Sequence, residues 1–306
     1  MKAIVCKKEK INSNLLVTEL PLPVLKNSEI LVKVKASTLN TGDVARIKMG
    51  LIPSKKPITG SEFSGVVEQI GSEIKDFKIG DQVFGCLSSG AHTEYISVSF
   101  KDIILKMPKI IDFNEAASIP NGALAAYFFL QKAKASEKKE ILINGATGSV
   151  GSFAVQIAKQ LGLYVTAVSS EKNRKMLYLL GADEVLDYTN PNFKNQIVKQ
   201  DIIFDAVGKL NINESTKWLK NDGVFVTTQL NVNVGLAKIW SLFSPYKIVF
   251  GIAKHNQKDF SFISDLIQSK KITTVIDTVY PIEEIEKAFD YVESGRKTGN
   301  VVIKFA

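Results

Sequence analysis

The chain reads as an α/β protein: a doubly wound parallel sheet joined to a discontinuous, mainly β module. Three observations predict this. Up to Ile111 the apolar residues alternate at period two, as in antiparallel sheet. From Ile141 to Gly162 a short apolar strand, a glycine turn and an amphipathic helix follow one another, and strand-helix alternation continues after them. The last apolar run, Val301 to Phe305, reads as a strand again, so the chain returns to its first module. The boundaries this implies are 1–113 with 255–306 for the mainly β module and 114–254 for the parallel-sheet domain.

The N-terminus, MKAIVCKKEK, reads as an opening strand and lacks the apolar core of a signal peptide. Pro21 and Pro23 give an extended entry to the next strand. There Ile30, Val32, Val34 and Ala36 point one way while Lys33 and Lys35 point the other. A strand from Ser64 to Ile70 stops at Gly71, and Asp76 to Asp81, with Gly80, turns the chain into Gln82 to Phe84. The pattern is that of a barrel-like module. Helix begins near Ile111, with Asp112 or Asn114 as cap and an Ala-, Leu- and Phe-rich stretch from Ala116 to Lys132. Later strands are expected at Tyr164 to Val168, Ile202 to Phe204, Val224 to Thr228 and Lys247 to Gly251, with a helix from Asp259 to Lys270.

Ile141 to Ile143 form the compact apolar run of a buried parallel strand, which Asn144-Gly145 breaks. Val150, Phe153, Ala154, Ile157, Ala158 and Leu161 then form one helical stripe that stops at Gly162. Gly145, Gly148 and Gly151 are spaced so that the backbone turns sharply, meets a pyrophosphate without an intervening Cβ, and packs closely on the strand. The free amides of the helix start suit a phosphate. Gly145, Ala146, Thr147, Gly148, Ser149, Val150 and Gly151 are therefore candidate dinucleotide contacts. Asp205-Ala206-Val207-Gly208 ends a further strand, where open α/β sheets bind ligands, and Val207 joins the candidates.

The residue after the second strand of such a unit chooses between cofactors. An acidic residue there would hold the ribose hydroxyls of NADH. Here Ser169, Ser170, Lys172 and Arg174 supply hydroxyls and cations that suit a 2′-phosphate, so the pattern favours NADPH and leaves NADH use open. Glu171 weakens that pattern, and Lys172 and Arg174 also fit a solvated first helical turn in a lysine-rich chain.

Composition narrows the classes. The 306 residues are 45% apolar and 23% charged, which excludes a disordered chain. The one long apolar stretch, Leu236 to Ile252, is broken by Lys238, Ser241, Ser244, Pro245 and Lys247, so no membrane span is expected and a cytoplasmic protein is the default. The net charge of +8 comes from dispersed lysines with only Arg46, Arg174 and Arg296 beside them, a poor footprint for nucleic acid. Cys6 and Cys86 form no disulfide framework or metal spacing and read as packing residues.

The motifs ASTLNTGD at 36–43, GSEFSGVVEQIG at 60–71, GDQVFG at 80–85, the glycine turn, LGADEVLDY at 180–188, FDAVG at 204–208 and TGNVVI at 298–303 run through almost the whole chain. Together they resemble the medium-chain dehydrogenase/reductase superfamily, in its zinc-independent quinone oxidoreductase and enone reductase branch. Leu180 to Tyr188 and Lys271 to Pro281 are similar to the chloroplast-envelope quinone oxidoreductase-like proteins of plants. The resemblance implies a Rossmann-type cofactor domain with a GroES-like catalytic domain. It also implies NADPH-dependent reduction of a small lipophilic acceptor, a quinone or an α,β-unsaturated ketone or aldehyde, in a homodimer. Val224 to Thr228 and the segment after it, with Lys238, Trp240, Phe243 and Tyr246, would serve that dimer or line the substrate pocket.

The zinc-dependent branch carries a cysteine in the 36–43 loop and a histidine after Gly60. Here the loop has no cysteine, position 61 is Ser61, and no four-cysteine lobe follows Gly85, so no zinc is expected. Hydride delivery to an already electrophilic carbon does not need a Lewis acid, whereas alcohol oxidation does. The resemblance implies that Asn40 is a polar group on the substrate side, against the plainer reading of a turn residue in Asn40-Thr41-Gly42-Asp43. It likewise implies that Tyr188 contacts the adenosine-phosphate side, against a packing role. Leu124-Ala125-Ala126 replaces Leu-Thr-Ala, which removes a hydroxyl expected near the cofactor. His92 reads as a surface or cleft-edge residue in preference to a proton donor. Two alternatives keep the fold: an enoyl-thioester reductase, or a redox-sensing or RNA-associated relative with little turnover.

Overall fold

The computed structural model describes residues 1–8, 13–52, 57–99, 101–228 and 245–306. The chain forms two compact units, 1–121 with 256–268 and 274–306, and 122–255 with 269–273. In chain order the first unit opens with β1 (Lys2–Lys8) and β2 (Ser13–Glu19), an antiparallel pair of their own. Then come β3 (Glu29–Thr38), α1 (Thr41–Lys48), β4 (Glu62–Ile70), β5 (Gln82–Cys86), β6 (Tyr95–Ser99), β7 (Ile103–Lys106) and α2 (Phe113–Ala117). The helix α3 (Pro120–Lys132) leads into the second unit. That unit holds β8 (Glu140–Asn144), α4 (Ser149–Gln160), β9 (Tyr164–Ser169), α5 (Arg174–Leu179), β10 (Glu184–Asp187), β11 (Gln200–Asp205), α6 (Ile212–Ser215), β12 (Leu219–Thr227) and β13 (Lys247–Phe250). The return to the first unit adds α7 (Gln257–Gln268), β14 (Ile276–Pro281), α8 (Ile285–Glu293) and β15 (Asn300–Lys304).

In the first unit seven strands form one sheet in the order β14-β15-β3-β4-β5-β7, with β6 also on β3. The long strand β3 shares one edge between β6, opposite Glu29 to Lys33, and β15, opposite Ala36 to Thr38, while β4 lines the other. Its apolar positions fill the core, where Val32, Val34, Phe63, Val83 and Ile303 are fully buried. The amphipathic α7 turns Phe260, Ile263, Leu266 and Ile267 inward. Phe260 packs on Phe84 with ring centroids 4.7 Å apart, and the Gln257 amide clasps both backbone groups of Ile104.

Two helices differ from expectation. The helix expected from Ala116 to Lys132 is broken, because Pro120 has no N–H to continue the ladder and starts a new helix. Asp112, and not Asn114, caps α2, in a reciprocal capping box with Glu115. The expected turn at Asn40 to Asp43 is the start of α1, capped in the same way.

His92 is neither at the surface nor at a cleft edge. It is fully buried, with Nε2 2.8 Å from the Thr38 carbonyl and Nδ1 2.8 Å from Thr59 Oγ1. Burial pushes its pKa down to about 4, which keeps the ring neutral. The sequence hides this because both partners lie far away along the chain.

The second unit carries six parallel strands in the order β10-β9-β8-β11-β12-β13. Numbered by their succession this is the doubly wound order 3-2-1-4-5-6, with its switch point between β8 and β11. Ile141, Leu142 and Ile143 are fully buried, as the continuous apolar run of a sheet covered on both faces demands. The Gln156 amide clasps both backbone groups of Thr273 and so fixes the 269–273 segment to this unit. Lys238, Trp240 and Phe243 lie outside the described residues, while Tyr246 packs beside the sheet's own core. Among the described residues no helix is long and apolar enough to cross a membrane.

Candidate functional site

The switch point is built by two strand ends. Asn144 and Asp205 are register partners at the ends of β8 and β11, and the Asn144 amide donates to Asp205 Oδ1 at 2.9 Å. The same carboxylate accepts from the N–H groups of Val207 (3.3 Å), Gly208 (2.9 Å) and Leu210 (2.8 Å). A buried acid with four donors is fully compensated, and it freezes the 206–210 loop. Val207 is thereby pressed over Gly145, where a Cβ would lie 2.5 Å from Val207 Cγ1.

Gly145 sits at φ +74°, a left-handed conformation that glycine adopts without strain, and its carbonyl accepts from Gly148 N–H at 3.1 Å. Gly148 is the N-cap of α4 and offers no side chain to the orphan amides of the first turn. Among the described residues a Cβ on Gly148 would meet nothing closer than 3.5 Å, so none of them fills the space beside it. Gly151 is the opposite case: its Cβ would fall 2.1 Å from the Gly145 carbonyl oxygen. Ala146, Thr147, Ser149 and Val150 complete this turn and helix start. The uncapped amides of a helix N-terminus, a place that suits an anion, thus stand at the strand ends where doubly wound sheets commonly take ligands.

A second group lies at the end of β9. Ser169 is buried, its carbonyl accepts from Tyr188 N–H at 3.0 Å, and the Asn173 amide donates to the hydroxyls of Ser169 (3.3 Å) and Ser170 (3.4 Å). Lys172 is exposed, with no ion-pair partner among the described residues. Arg174 is engaged: Nε and Nη2 fork onto the Glu171 carboxylate at 2.7 Å each, and Nη1 donates to the Val185 carbonyl at 2.9 Å. Tyr188 is 55% exposed.

Asn40 stands in the first unit, in a buried polar cluster. Its Oδ1 accepts from Asp43 N–H at 2.9 Å as the cap of α1, and its Nδ2 donates to Ser61 Oγ and Glu62 Oε2 at 3.3 Å each. Both ends of the carboxamide are thus held. Glu62 also accepts from the Thr38 hydroxyl and from Asn121 N–H at 2.8 Å. Ser61 Oγ accepts from Asn121 Nδ2 at 2.8 Å and donates to Asp43 Oδ1 at 3.3 Å. Loss of water on burial pushes Glu62 up to about 7 and Asp43 up to about 6, and the Asp43 charge adds to the shift of Glu62. Among the described residues no three His, Cys, Asp or Glu side chains lie close enough together to hold a metal ion. Cys86 is buried, its thiol pushed up to about 12 by desolvation, and Cys6 is half-buried.

Sequence reasoning missed three contributors: Glu62, Asn173 and the anchoring role of Asp205. Glu62 opens β4 directly before Phe63, and Asp205 closes the apolar run Ile202 to Phe204; an acid flush against an apolar strand is the signal the sequence carries.

An alcohol dehydrogenase GroES-like domain model matches residues 26–140, and a zinc-binding dehydrogenase model matches residues 180–303. The chain is 33% identical over 310 residues to the 2-methylene-furan-3-one reductase of Solanum lycopersicum, a match covering 96% of this chain and 75% of that protein. It is 30% identical over 310 residues to an NADPH-dependent alkenal/one oxidoreductase of Arabidopsis thaliana, with the same coverage. A solved quinone oxidoreductase from Coxiella burnetii superposes with a TM-score of 0.88 at 27% identity, covering 100% of this chain and 99% of that one.

Proposed function

This chain belongs to the medium-chain dehydrogenase/reductase superfamily, and we propose that it is an NAD(P)H-dependent oxidoreductase of the quinone and enone reductase type. The acceptor is a quinone or an α,β-unsaturated ketone or aldehyde, and NADPH is preferred. The observation that carries the reading is the glycine cradle at the switch point: amides without a capping side chain, space beside Gly148 that no described residue fills, and a rigid loop holding Val207 beside it. The names of the relatives above support the acceptor class.

When bound, the dinucleotide supplies a hydride from its nicotinamide ring. The chain's own work is binding and orientation. The α4 amides neutralise the pyrophosphate, while Ser169, Ser170, Asn173 and Lys172 offer donors to a ribose phosphate. Asp205 keeps Val207 in place against the turn. Asn40 is proposed on the substrate side, and its cap and its Glu62 bond hold its carboxamide in one orientation.

The residues do not fit a resident zinc. Ser61, Asn40 and two saturated carboxyls are poor ligands for a metal that prefers thiolate and imidazole, and both ring nitrogens of His92 are engaged.

The test is loss of reduced-nicotinamide absorbance with NADPH and NADH separately, over a panel of quinones, enones and enals, with and without a chelator. Chelator-resistant turnover that favours NADPH is expected. Tight NADPH binding with no turnover on any acceptor would point to a binding protein, and chelator-sensitive turnover would overturn the metal-free reading.

A further inference from the structure

At the end of β9 a single guanidinium is held by a single carboxylate. Arg174 is the only arginine of the second unit, and its fork is filled by Glu171 in a bidentate pair at 2.7 Å. A third of its five N–H donors, on Nη1, goes to the Val185 carbonyl. Arg174 starts α5, and its neighbours Ser169, Ser170 and Asn173 already share hydrogen bonds with one another.

We infer that Glu171 sets how strongly this chain prefers a phosphorylated over an unphosphorylated dinucleotide, by occupying the Arg174 fork that a ribose 2′-phosphate would otherwise engage. The inference rests on the proposed dinucleotide site. A carboxylate and a phosphate monoester are alternative partners for the same planar fork, because both present two oxygens at matching spacing. Glu171 therefore acts twice against the phosphate. It neutralises the cation, and it adds a negative charge beside the serines, where Asp187 is already the register partner of Ser169.

The competition is weak enough to be won. The side chains of Glu171 and Arg174 are 61% and 37% exposed, and a pair so placed holds together with little net free energy. They line an open concavity of about 570 Å³ with Lys172, Lys175, Tyr178 and Leu179. A phosphate can displace the carboxylate there, with Lys172 assisting. The preference is then graded and salt-sensitive, and the unphosphorylated cofactor, which pays no repulsion, is still accepted.

The experiment is calorimetric titration of the full chain with 2′,5′-ADP and with 5′-AMP, which reads the phosphate subsite without turnover. Glu171→Gln is expected to tighten 2′,5′-ADP by about three- to tenfold at low salt, and Glu171→Ala at least as much. Binding of 5′-AMP should stay within about twofold, since neither substitution touches the pyrophosphate cradle. The gain should shrink at high salt and disappear in the double variant Glu171→Gln/Arg174→Gln. An unchanged ratio of the two ligands in both single variants overturns the inference, as does a gain that survives loss of Arg174. If wild type binds neither nucleotide, the dinucleotide site itself falls and the inference with it, so the two failures are distinct.

Discussion

Replacing Gly151 by alanine tests whether the cradle depends on the helix being pressed against the turn. An alanine Cβ would lie 2.1 Å from the Gly145 carbonyl oxygen, 2.8 Å from the Gly145 carbonyl carbon and 2.9 Å from Ala146 Cα. The first of these is more than about 1 Å short of ordinary contact, and all three atoms are backbone, so no side-chain rotamer relieves the clash. Overpacking of this kind costs about 1–3 kcal/mol, offset by the 0.5–1 kcal/mol or so that alanine gains over glycine within a helix. Because all three close atoms are backbone, the overpacking cost falls in the upper part of that range, about 2–3 kcal/mol, and the net loss is about 1–2.5 kcal/mol, a fall in melting temperature of roughly 3–10 °C for a unit of this size. Gly148→Ala is the control. Its backbone is at φ −73°, its Cβ meets no described residue nearer than 3.5 Å, and its cost is limited to the poorer N-cap, at most about 1 kcal/mol. That Cβ nevertheless projects into the space beside the amides, so NADPH affinity should fall at least tenfold or so while the fold persists. Calorimetric melting and NADPH fluorescence titration read the two effects separately. A Gly151→Ala protein as stable as wild type would refute the argument from close approach. A Gly148→Ala protein that binds NADPH normally would remove the phosphates from this turn.

Two further predictions concern the first unit. Glu62 is raised from 4.5 to about 7, chiefly by desolvation, so the folded state holds its proton more tightly than the unfolded chain. Its stabilising contribution is therefore full below about pH 4.5 and is lost as the pH rises through 7, a span of up to about 3 kcal/mol. Glu62→Gln has no such span, so its deficit against wild type in urea unfolding should be larger at about pH 5 than at about pH 8; a deficit that grows toward pH 8 would contradict the assignment. Phe260→Ala removes a fully buried ring that packs on Phe84, and the expected loss is about 3–5 kcal/mol. A loss below about 1 kcal/mol by denaturant titration would mean that α7 is not what closes this core.

What the sequence made legible was set by distance along the chain. The unit from Ile141 to Gly162 could be read outright, because strand, turn and helix each have their own local period and the switch from one to the next falls within a few residues. The class of sheet followed from the same alternation. The two interruptions at Pro120 and Asn40 were present as residues, yet Pro120 inside an apolar helical stretch and Asn40 inside a turn pattern each fit two local structures until their neighbours were placed. Other features rest on bonds that no local pattern encodes. Asn144 meets Asp205 across 61 residues, and His92 meets the Thr38 carbonyl across 54. Burial is the deeper reason. An acid such as Glu62 or Asp205 has the same letter whether it faces water or is enclosed by donors, and only the enclosure turns it into an anchor or shifts its titration. Glu171 and Arg174 lie between these cases. Their spacing of three was visible as a pair of charges that weakened the phosphate pattern, whereas the bidentate fork, which makes them competitors with a ligand, exists only once the first turns after β9 bring both side chains to the same side.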